Sequence, residues 1–327
     1  MASESELIAV LTDVFQSPTN KSPSLILGIG DDGAILDLRH QKSVAVTDMA
    51  VENVHFRRAW SSLADIGGKV TAANLADIYA MGGEPTFLLV AAGLPADFSL
   101  EQMRELAHGI QEEADQVGAL VVGGDLTRSE TIIISISALG KVEIPIVRSG
   151  ACEGDRLIIS AMPGWAAAGL ALFHNDVSES SNLGDLIARA KSTHRKPSVN
   201  YLQARSLVNV GCTAMCDVSD GLLSEATHIA NSSQVKIVID TEAFTYSQEY
   251  HQLTQLGQLC QIDPWEWILA GGEDHAFLAT ISPTSELPSG FIEIGYVSSG
   301  SGVSLLHDLH EVRLNRYRSS GFSHFEG

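Results

Sequence analysis

This chain lacks several features that would place it in common protein classes. Its longest strongly apolar stretch, Phe87 to Leu94, is far too short to span a bilayer. Basic residues are also scarce, with 20 Lys and Arg against 40 Asp and Glu and a net charge of −20. Nucleic acids and anionic membranes need basic patches, so neither is an expected partner. The length of 327 residues and the hydrophobic content of 45% are those of a globular enzyme with room for two domains.

Cysteine is rare as well, with four residues in the chain: Cys152, Cys212, Cys216 and Cys260. Two of them have a C-x3-C spacing, but no second pair or nearby His completes a zinc set. Buried, reduced thiols are therefore expected. Residues 1–16 have neither a basic segment nor an apolar core typical of a signal peptide. We therefore expect a cytoplasmic protein without a signal peptide.

The familiar phosphate-binding and nucleophile loops are missing. No G-x-x-x-x-G-K-[ST] loop, protein-kinase loop set or G-x-S-x-G elbow occurs. Residues 28–33, GIGDDG, match G-x-G-x-x-G, yet two carboxylates in this turn would repel a pyrophosphate. The residues that follow, Ala34 to Leu38, predict a strand rather than the required helix. A nicotinamide oxidoreductase is therefore disfavoured, and a cation between this turn and a phosphate fits better.

Acidic and hydroxyl side chains, by contrast, recur on short segments flanked by Gly, Ser or Ala. They are Asp32, Thr47, Asp48, Asp77, Asp125, Asp217 and Asp220. Each alone is most simply a turn residue or a helix cap. As a set, with four of them expected where an apolar strand ends, they predict binding of Mg²⁺, which takes oxygen ligands and shares them with phosphates. The set therefore indicates phosphoryl chemistry assisted by several metal ions.

Three further segments carry candidate site residues. His55 is either a general base or a hydrogen-bonding residue. Gly124 precedes Asp125 and would let a ligand approach the backbone. Glu273 follows two glycines after an apolar helix, so it either belongs to a capping turn or projects into a cleft.

Hydrophobic periodicity predicts an α+β fold with mixed sheets in two halves. An N-terminal helix is expected at residues 4–16, and capping signals at Ser62 and Ser99 are expected to open two more. The polar turn that begins at Arg148 is the predicted boundary. It divides the chain into an N-terminal domain, 1–147, and a C-terminal α/β domain, 148–327.

Seven ordered motifs give the chain a specific resemblance. They are GIGDDGAIL, VTDMAVENVHF, AANLADIYAMGGEP, VGGDLTRS, RSGACEGD, CDVSDGLLSE and LAGGEDHAF. In order and spacing they resemble thiamine-monophosphate kinase, a family in the ATP-binding superfamily named after aminoimidazole ribonucleotide synthetase. The resemblance runs from about residue 5 to the C-terminal GFSHF. It implies a two-domain fold in which residues 1–147 bind ATP and Mg²⁺ and mediate dimerisation. It also implies mixed sheets with helices on one face, and N-terminal strands that form a barrel in a homodimer.

The resemblance also implies a reaction and its residues. ATP would phosphorylate thiamine monophosphate to thiamine diphosphate by direct in-line transfer, assisted by Mg²⁺ and without an obligatory general base. The implied metal ligands are Asp32, Thr47, Asp48, Asp77, Asp125, Asp217 and Asp220; the implied ATP contacts are Gly124, Asp125, Arg148 and Ser219; the implied acceptor contacts are His55, Glu273 and Phe322. Two positions, Val46 and Phe322, depart from the residues usual in the family.

Two alternatives stay open beside this interpretation. The chain could be another enzyme of the same superfamily, such as a selenophosphate synthetase or a ribonucleotide cyclo-ligase. A selenophosphate synthetase should carry a reactive Cys near its N-terminal Gly-rich segment, and no Cys precedes Cys152. The chain could also be a catalytically silent metal-binding or dimerisation module, which the intact Asp positions argue against.

Overall fold

The computed structural model describes residues 25–27, 34–38, 41–179, 182–307 and 310–312. The predicted helix at 4–16, the predicted metal ligand Asp32 and the predicted acceptor contact Phe322 lie outside the described residues.

The first half of the chain forms a mixed sheet. Within the described residues it has six strands in the order β1-β2-β3-β6-β4-β5. Their bounds are β1 Leu25–Leu27, β2 Ala34–Leu38, β3 Gln41–Val51, β4 Glu84–Leu94, β5 Leu120–Arg128 and β6 Ile133–Val142. The β4–β5 pair is parallel and the other pairs are antiparallel.

Two capped helices accompany this sheet: α1, Leu63–Ala80, and α2, Leu100–Asp115. Ser62 and Asp65 form a capping box at the start of α1, and Ser99 and Gln102 form one at the start of α2. Each box satisfies backbone N–H groups that the first helical turn cannot pair, so both predicted starts are confirmed. Nearly every residue of α1 is buried, because α1 packs against β3, β6 and a strand of the second sheet.

The second half forms another mixed sheet after a short 3₁₀ turn at Arg148–Gly150. Within the described residues it has seven strands in the order β13-β12-β9-β11-β7-β10-β8. Their bounds are β7 Arg156–Ile159, β8 Ala214–Asp217, β9 Lys236–Asp240, β10 Phe277–Ile281, β11 Ile292–Ser298, β12 Gly302–His307 and β13 His310–Val312. Among the described strands of this second sheet, only β9 and β12 pair in parallel.

The helices of this half lie between its strands in sequence. They are α3 Trp165–His174, α4 Gly184–Arg195, α5 Tyr201–Asn209, α6 Leu222–Ser233, α7 Glu242–Thr245, α8 Gln248–Cys260 and α9 Pro264–Ala270. The predicted α+β class with mixed sheets is confirmed. Sequence periodicity did not predict α8. This helix is mostly polar and buries only Leu253, Leu256 and Gly257, so its apolar stripe is too narrow to give a clear helical pattern.

One hydrophobic cluster joins the two halves. Leu75 and Ile78 of α1 belong to the same buried cluster as Met215 of β8 and Phe277 of β10. Helix α1 is therefore held between the two sheets, and polar side chains on it can reach loops of both. The domain division at 147/148 stays a prediction.

Two strands run further than the sequence predicted, and this corrects the expected places of two site residues, Asp48 and Asp125. Thr47 and Asp48 lie within β3, and Asp125 lies within β5 rather than after a strand. Strand β5 continues because it pairs with β4 as far as Arg128, opposite Leu94. A Cβ at Gly124 would come within 1.8 Å of the Val90 carbonyl oxygen. Glycine is therefore needed there for close approach of the two strands. Separately, no described helix is both long and apolar enough to cross a bilayer.

Candidate active site

A cavity of about 560 Å³ opens between α1, the end of β3, α3 and two loops of the second half. Its lining includes these polar residues: Asp48, His55, Lys69, Ser219, Asp220 and Glu273. Lys69 is the one of these that the sequence did not predict. Five of them are residues that the sequence predicted for the site. The cavity therefore gathers predicted metal, ATP and acceptor residues that are up to more than two hundred positions apart in the chain.

Two carboxylates on neighbouring elements meet at one wall. The side chain of Asp48 of β3 lies within hydrogen-bonding reach of the side chain of Asp77 of α1. The backbone N–H of Asp48 donates to Oδ1 of Asn74, at 3.2 Å, which fixes the strand against the helix. Burial raises the pKa of Asp48, and the nearby charge of Asp217 raises it further. Ionised Asp48 therefore lies in a place that favours a compensating cation.

Asp217 ends β8 and is buried. Its Oδ2 lies 2.7 Å from Nδ1 of His275. Burial alone would lower the pKa of His275, but the hydrogen bond and charge of Asp217 raise it above its ordinary value. The other oxygen, Oδ1, is buried and has no hydrogen-bond partner among the described residues. A buried polar atom of this kind is rare unless something else binds it.

These observations fit a hard divalent cation. Among the described residues, no three His, Cys, Asp or Glu side chains lie close enough together to hold one ion. The carboxylates instead come in pairs, Asp48 with Asp77 and Asp48 with Asp217. Mg²⁺ is usually bound through one or two carboxylates plus substrate phosphates, with water completing its shell. The paired arrangement suits Mg²⁺ bound together with a nucleotide and does not suit an all-protein metal cage.

The loop with Glu273 is strained and tightly held. Glu273 has a φ of +67° and His275 a φ of +52°, both in the left-handed region. Their backbone N–H groups donate to the carbonyls of Ser219, at 2.7 Å, and Val218, at 3.0 Å. A Cβ at Gly272 would lie 2.2 Å from the Ser219 carbonyl oxygen, so only glycine lets the two loops touch. Strained non-glycine residues held in this way cluster at functional sites.

Asp274 fixes the other side of this loop. Its carboxylate accepts from the backbone N–H groups of Gly164, at 2.6 Å, and Ala166, at 2.9 Å. It thereby caps the N-terminus of α3, which lines the cavity through Ala166, Ala167 and Leu170. Burial raises the pKa of Asp274 to about 6, although the two N–H donors oppose the shift.

The tautomer of His55 follows from its backbone contact. The N–H of Val51 donates to Nδ1 of His55 at 3.0 Å. Nδ1 of a neutral imidazole that accepts a hydrogen bond carries no proton, so the proton is on Nε2. His55 therefore presents a hydrogen-bond donor rather than a base at Nε2.

Six of the predicted site residues that the structure describes do not line this cavity: Thr47, Asp77, Gly124, Asp125, Arg148 and Asp217. Asp77 and Asp217 are neighbours of the lining residue Asp48. Thr47 lies opposite Ser137, which lies opposite Leu89, and all three share one face of the sheet. Asp125 lies opposite Ala91, and Ala91 lies opposite Ser135, on the same exposed face. Asp48, one residue from Thr47, points to the other face, which α1 covers. The fold therefore divides the predicted metal ligands between two faces of the sheet.

Arg148 is also engaged away from this cavity. Its Nη2 lies 3.3 Å from Oε2 of Glu225 on α6, and both side chains are largely buried. His228 approaches the same carboxylate, at 3.1 Å, and Ser233 donates to the Arg148 carbonyl oxygen. The predicted ATP contact is thus also a buried structural residue.

Four residues that complete the site were missed by sequence reasoning: Lys69, Asn74, His194 and His275. Lys69 and Asn74 stand among Ala, Val and Ile on the most buried helix of the first half. A polar side chain on such a helix could have indicated a site residue, because a buried polar group needs a hydrogen-bond partner or an opposite charge. His194 and His275 gave no signal of their own.

Known proteins share much of this sequence. Residues 30–142 match the family described as AIR synthase related protein, N-terminal domain. Thiamine-monophosphate kinase of Mycobacterium tuberculosis is 38% identical over 279 residues, which cover 85% of this chain and 80% of that protein. The Bacillus subtilis thiamine-monophosphate kinase is 30% identical over 321 residues, 93% and 94% of the two chains.

Solved structures give the same result. The structure of AaThiL complexed with AMPPCP and TMP has a TM-score of 0.85 and 29% identity, and the match covers 99% of this chain and 97% of that one. The thiamine monophosphate kinase of Aquifex aeolicus has a TM-score of 0.80 at 28% identity, over 94% and 97%. Fold and site thus define an enzyme of the AIR synthase-related class. Within that class, the chain belongs to the thiamine-monophosphate kinase family.

Proposed function

We propose that this chain transfers the γ-phosphate of ATP to thiamine monophosphate, giving thiamine diphosphate and ADP. The observation that carries the proposal is the cavity lined by Asp48, His55 and Glu273, with Asp77 and Asp217 next to Asp48. The AaThiL structure, which matches nearly the whole chain, is a complex with an ATP analogue and TMP. Both substrates are phosphates, as a site built from paired carboxylates and cations requires.

The main obstacle to this reaction is electrostatic. The acceptor is a phosphate monoester with a second pKa of about 6, so it is largely dianionic at neutral pH. Two like unit charges 4 Å apart repel by about 4 kcal/mol at an effective dielectric constant of 20, and several charges face each other here. Mg²⁺ held by Asp48, Asp77 and Asp217, with Asp32, Thr47, Asp125 and Asp220 as further proposed ligands, would neutralise phosphate charge.

The transfer itself needs little from the protein beyond alignment. A nonbridging oxygen of the acceptor phosphate forms a bond to the γ-phosphorus, and the bond from that phosphorus to the β,γ-bridging oxygen breaks. The electron pair stays on the β-phosphate, and ADP leaves. The nucleophile is already an oxyanion and no proton has to be removed, so no phosphoenzyme and no general base are required.

His55 and Glu273 are proposed to position the acceptor. The Nε2–H of His55 is a donor suited to a phosphate oxygen. The Glu273 carboxylate is charged and 35% exposed at the cavity wall. It suits the amino group or the cationic ring of a thiamine phosphate. Phe322 is proposed to contact the thiamine ring system, and Ser219 and Gly124 are proposed to contact ATP.

His55→Gln is expected to raise the KM for thiamine monophosphate several-fold and to change kcat by less than tenfold. Gln can accept from the Val51 N–H and still present an N–H to the ligand, but it cannot take up a proton near neutral pH. The measurement is kcat and KM against pH for both proteins. A general base would contribute about 10²–10⁴-fold in rate. A kcat loss in that range, together with loss of an acidic limb, would contradict the positioning role.

We also propose that the enzyme works as a homodimer through the uncovered face of the first sheet. This face exposes a row of large apolar side chains: Met49, Phe87, Leu89, Leu120 and Leu139. Their cross-strand register places them on the same side as Thr47 and Asp125. A second copy docked there would cover the apolar row and bring those two proposed ligands into the interface.

Leu89→Asp is expected to convert a dimer to monomers, because it places a charge in the centre of the apolar face. Light scattering after size-exclusion chromatography measures the mass. Tyr246→Asp is the matched control, since Tyr246 is a large side chain that is 86% exposed but belongs to the second half, at the C-terminal end of the short helix α7. If wild type is monomeric at micromolar concentration, or if both variants remain dimers, this interface is wrong.

The proposed reaction is tested by incubating the full chain with thiamine monophosphate, ATP and MgCl₂ and measuring thiamine diphosphate by chromatography. Formation of thiamine diphosphate and ADP in equal amounts is expected. ADP formation without thiamine diphosphate would favour another enzyme of the superfamily. Absence of both products from folded protein would favour a silent module.

A further inference from the structure

Lys69 of α1 lies in the wall of the cavity that also contains the proposed acceptor contacts His55 and Glu273. Other residues of the chain enclose its side chain. The residue is only 7% exposed. Its Nζ lies 2.9 Å from Oε2 of Glu273, 2.9 Å from the carbonyl oxygen of His194 and 3.4 Å from that of His55. These acceptors belong to three separate segments, all of which line the cavity.

The number of contacts argues against direct binding of phosphate by Lys69. A lysine ammonium has three protons and no acceptor. The three protein oxygens account for all three protons, and the two main-chain carbonyls cannot move away without moving their segments. Lys69 therefore acts on the cavity through the residues that it holds.

Glu273 is the residue most dependent on this contact. It sits at a strained φ of +67°, where local preference does not hold an L-residue. Burial would raise the pKa of Glu273, and the charge of Lys69 brings it below its ordinary value. His194, 3.7 Å from the same oxygen, is a weak substitute, because burial and Lys69 lower its pKa to about 4 and leave it neutral.

We propose that Lys69 is a positioning residue for acceptor binding, which ties the Glu273 loop, the end of α4 and the His55 segment into one preformed wall. This inference rests on the proposed function, and it assigns Lys69 a role that acts through Glu273. Among the described residues, the hydrogen bonds of Lys69 go to His55 and Glu273, the proposed acceptor contacts, and to His194, and none of these is a proposed metal ligand or ATP contact.

The test compares Lys69→Met, which keeps length but removes charge, with Lys196→Met. Lys196 is the matched control because it also pairs with a buried carboxylate, Glu113 at 3.1 Å, but does not line the cavity. Lys69→Met is expected to raise the KM for thiamine monophosphate by about tenfold or more, while the KM for ATP stays within about twofold. Lys196→Met is expected to lower the melting temperature and leave the ratio of the two KM values at the wild-type value.

A double variant shows whether Lys69 acts through Glu273. If it does, Lys69→Met with Glu273→Gln should have a KM for thiamine monophosphate within about twofold of Glu273→Gln alone, since coupled sites are not additive. The positioning role is wrong if the KM increases of the two single variants multiply in the double variant, or if Lys69→Met changes the KM for ATP as much as the KM for thiamine monophosphate. Either result would leave the proposed function standing as long as the wild-type protein makes thiamine diphosphate. A wild-type protein that makes no thiamine diphosphate would overturn both.

Discussion

Asp48→Asn is expected to lower kcat by about 1,000-fold, the equivalent of about 4 kcal/mol in the barrier. Burial and the charge of Asp217 both destabilise the ionised form of Asp48, and a bound cation would offset that cost. Asn keeps the shape and one oxygen but removes the charge. Phosphate charge in the transition state would then be left uncompensated.

The same substitution should not destabilise the metal-free fold. The pKa of Asp48 is raised in the folded protein, so its ionised form at neutral pH opposes folding. This unfavourable contribution to the free energy of folding is absent below the unfolded pKa of 3.8, where the carboxyl is protonated in both states. It reaches its full size above the raised pKa of the folded protein. Removing the charge is therefore expected to leave the melting temperature without Mg²⁺ equal to or above that of wild type.

Kinetics and thermal melts against Mg²⁺ concentration check both statements. Wild type with ATP should melt at a higher temperature as Mg²⁺ is added, and Asp48→Asn should lose most of that gain. Asp37→Asn is the control, because Asp37 is an exposed residue of the same sheet. Near-wild-type kcat for Asp48→Asn, or an undiminished Mg²⁺ response, would remove Asp48 from the metal site.

The structure shows which parts of the site could be predicted from sequence. Asp217 ends a short apolar strand, and Ser62 begins a helix with its partner three residues on; both are local patterns with a fixed spacing. The placement of Asp125 within β5 was missed because its two preceding glycines look like a turn. They serve instead to let β5 approach β4.

Other parts depend on contacts that have no sequence spacing. Lys69 meets Glu273 across more than two hundred residues, and His275, in the loop before β10, meets Asp217 at the end of β8. Neither pairing has a periodic signal, because each is created by tertiary packing. The same holds for the two faces of β3: alternation predicts that Thr47 and Asp48 diverge, but only the sheet order shows which face α1 covers.

Arg148→Met is expected to lower the free energy of unfolding by about 3 kcal/mol, near the lower end of the range for breaking a buried ion pair. Glu225 is 1% exposed and would lose its guanidinium partner. The loss is kept near the lower end because His228 still contacts the same carboxylate. Urea unfolding monitored by fluorescence measures the change. Arg205→Met, which removes the half-exposed pair with Glu84, is the control and is expected to cost less than about 1 kcal/mol.

A second substitution separates the structural role of Arg148 from its proposed contact with ATP. Arg148→Met with Glu225→Gln removes the unpaired buried charge, so most of the lost stability should return. The KM for ATP should nevertheless stay raised about tenfold, because Met cannot donate to a phosphate as guanidinium does. Restored stability together with a wild-type KM for ATP would mean that Arg148 only pairs with Glu225. A single variant as stable as wild type would mean that the buried pair contributes little to folding.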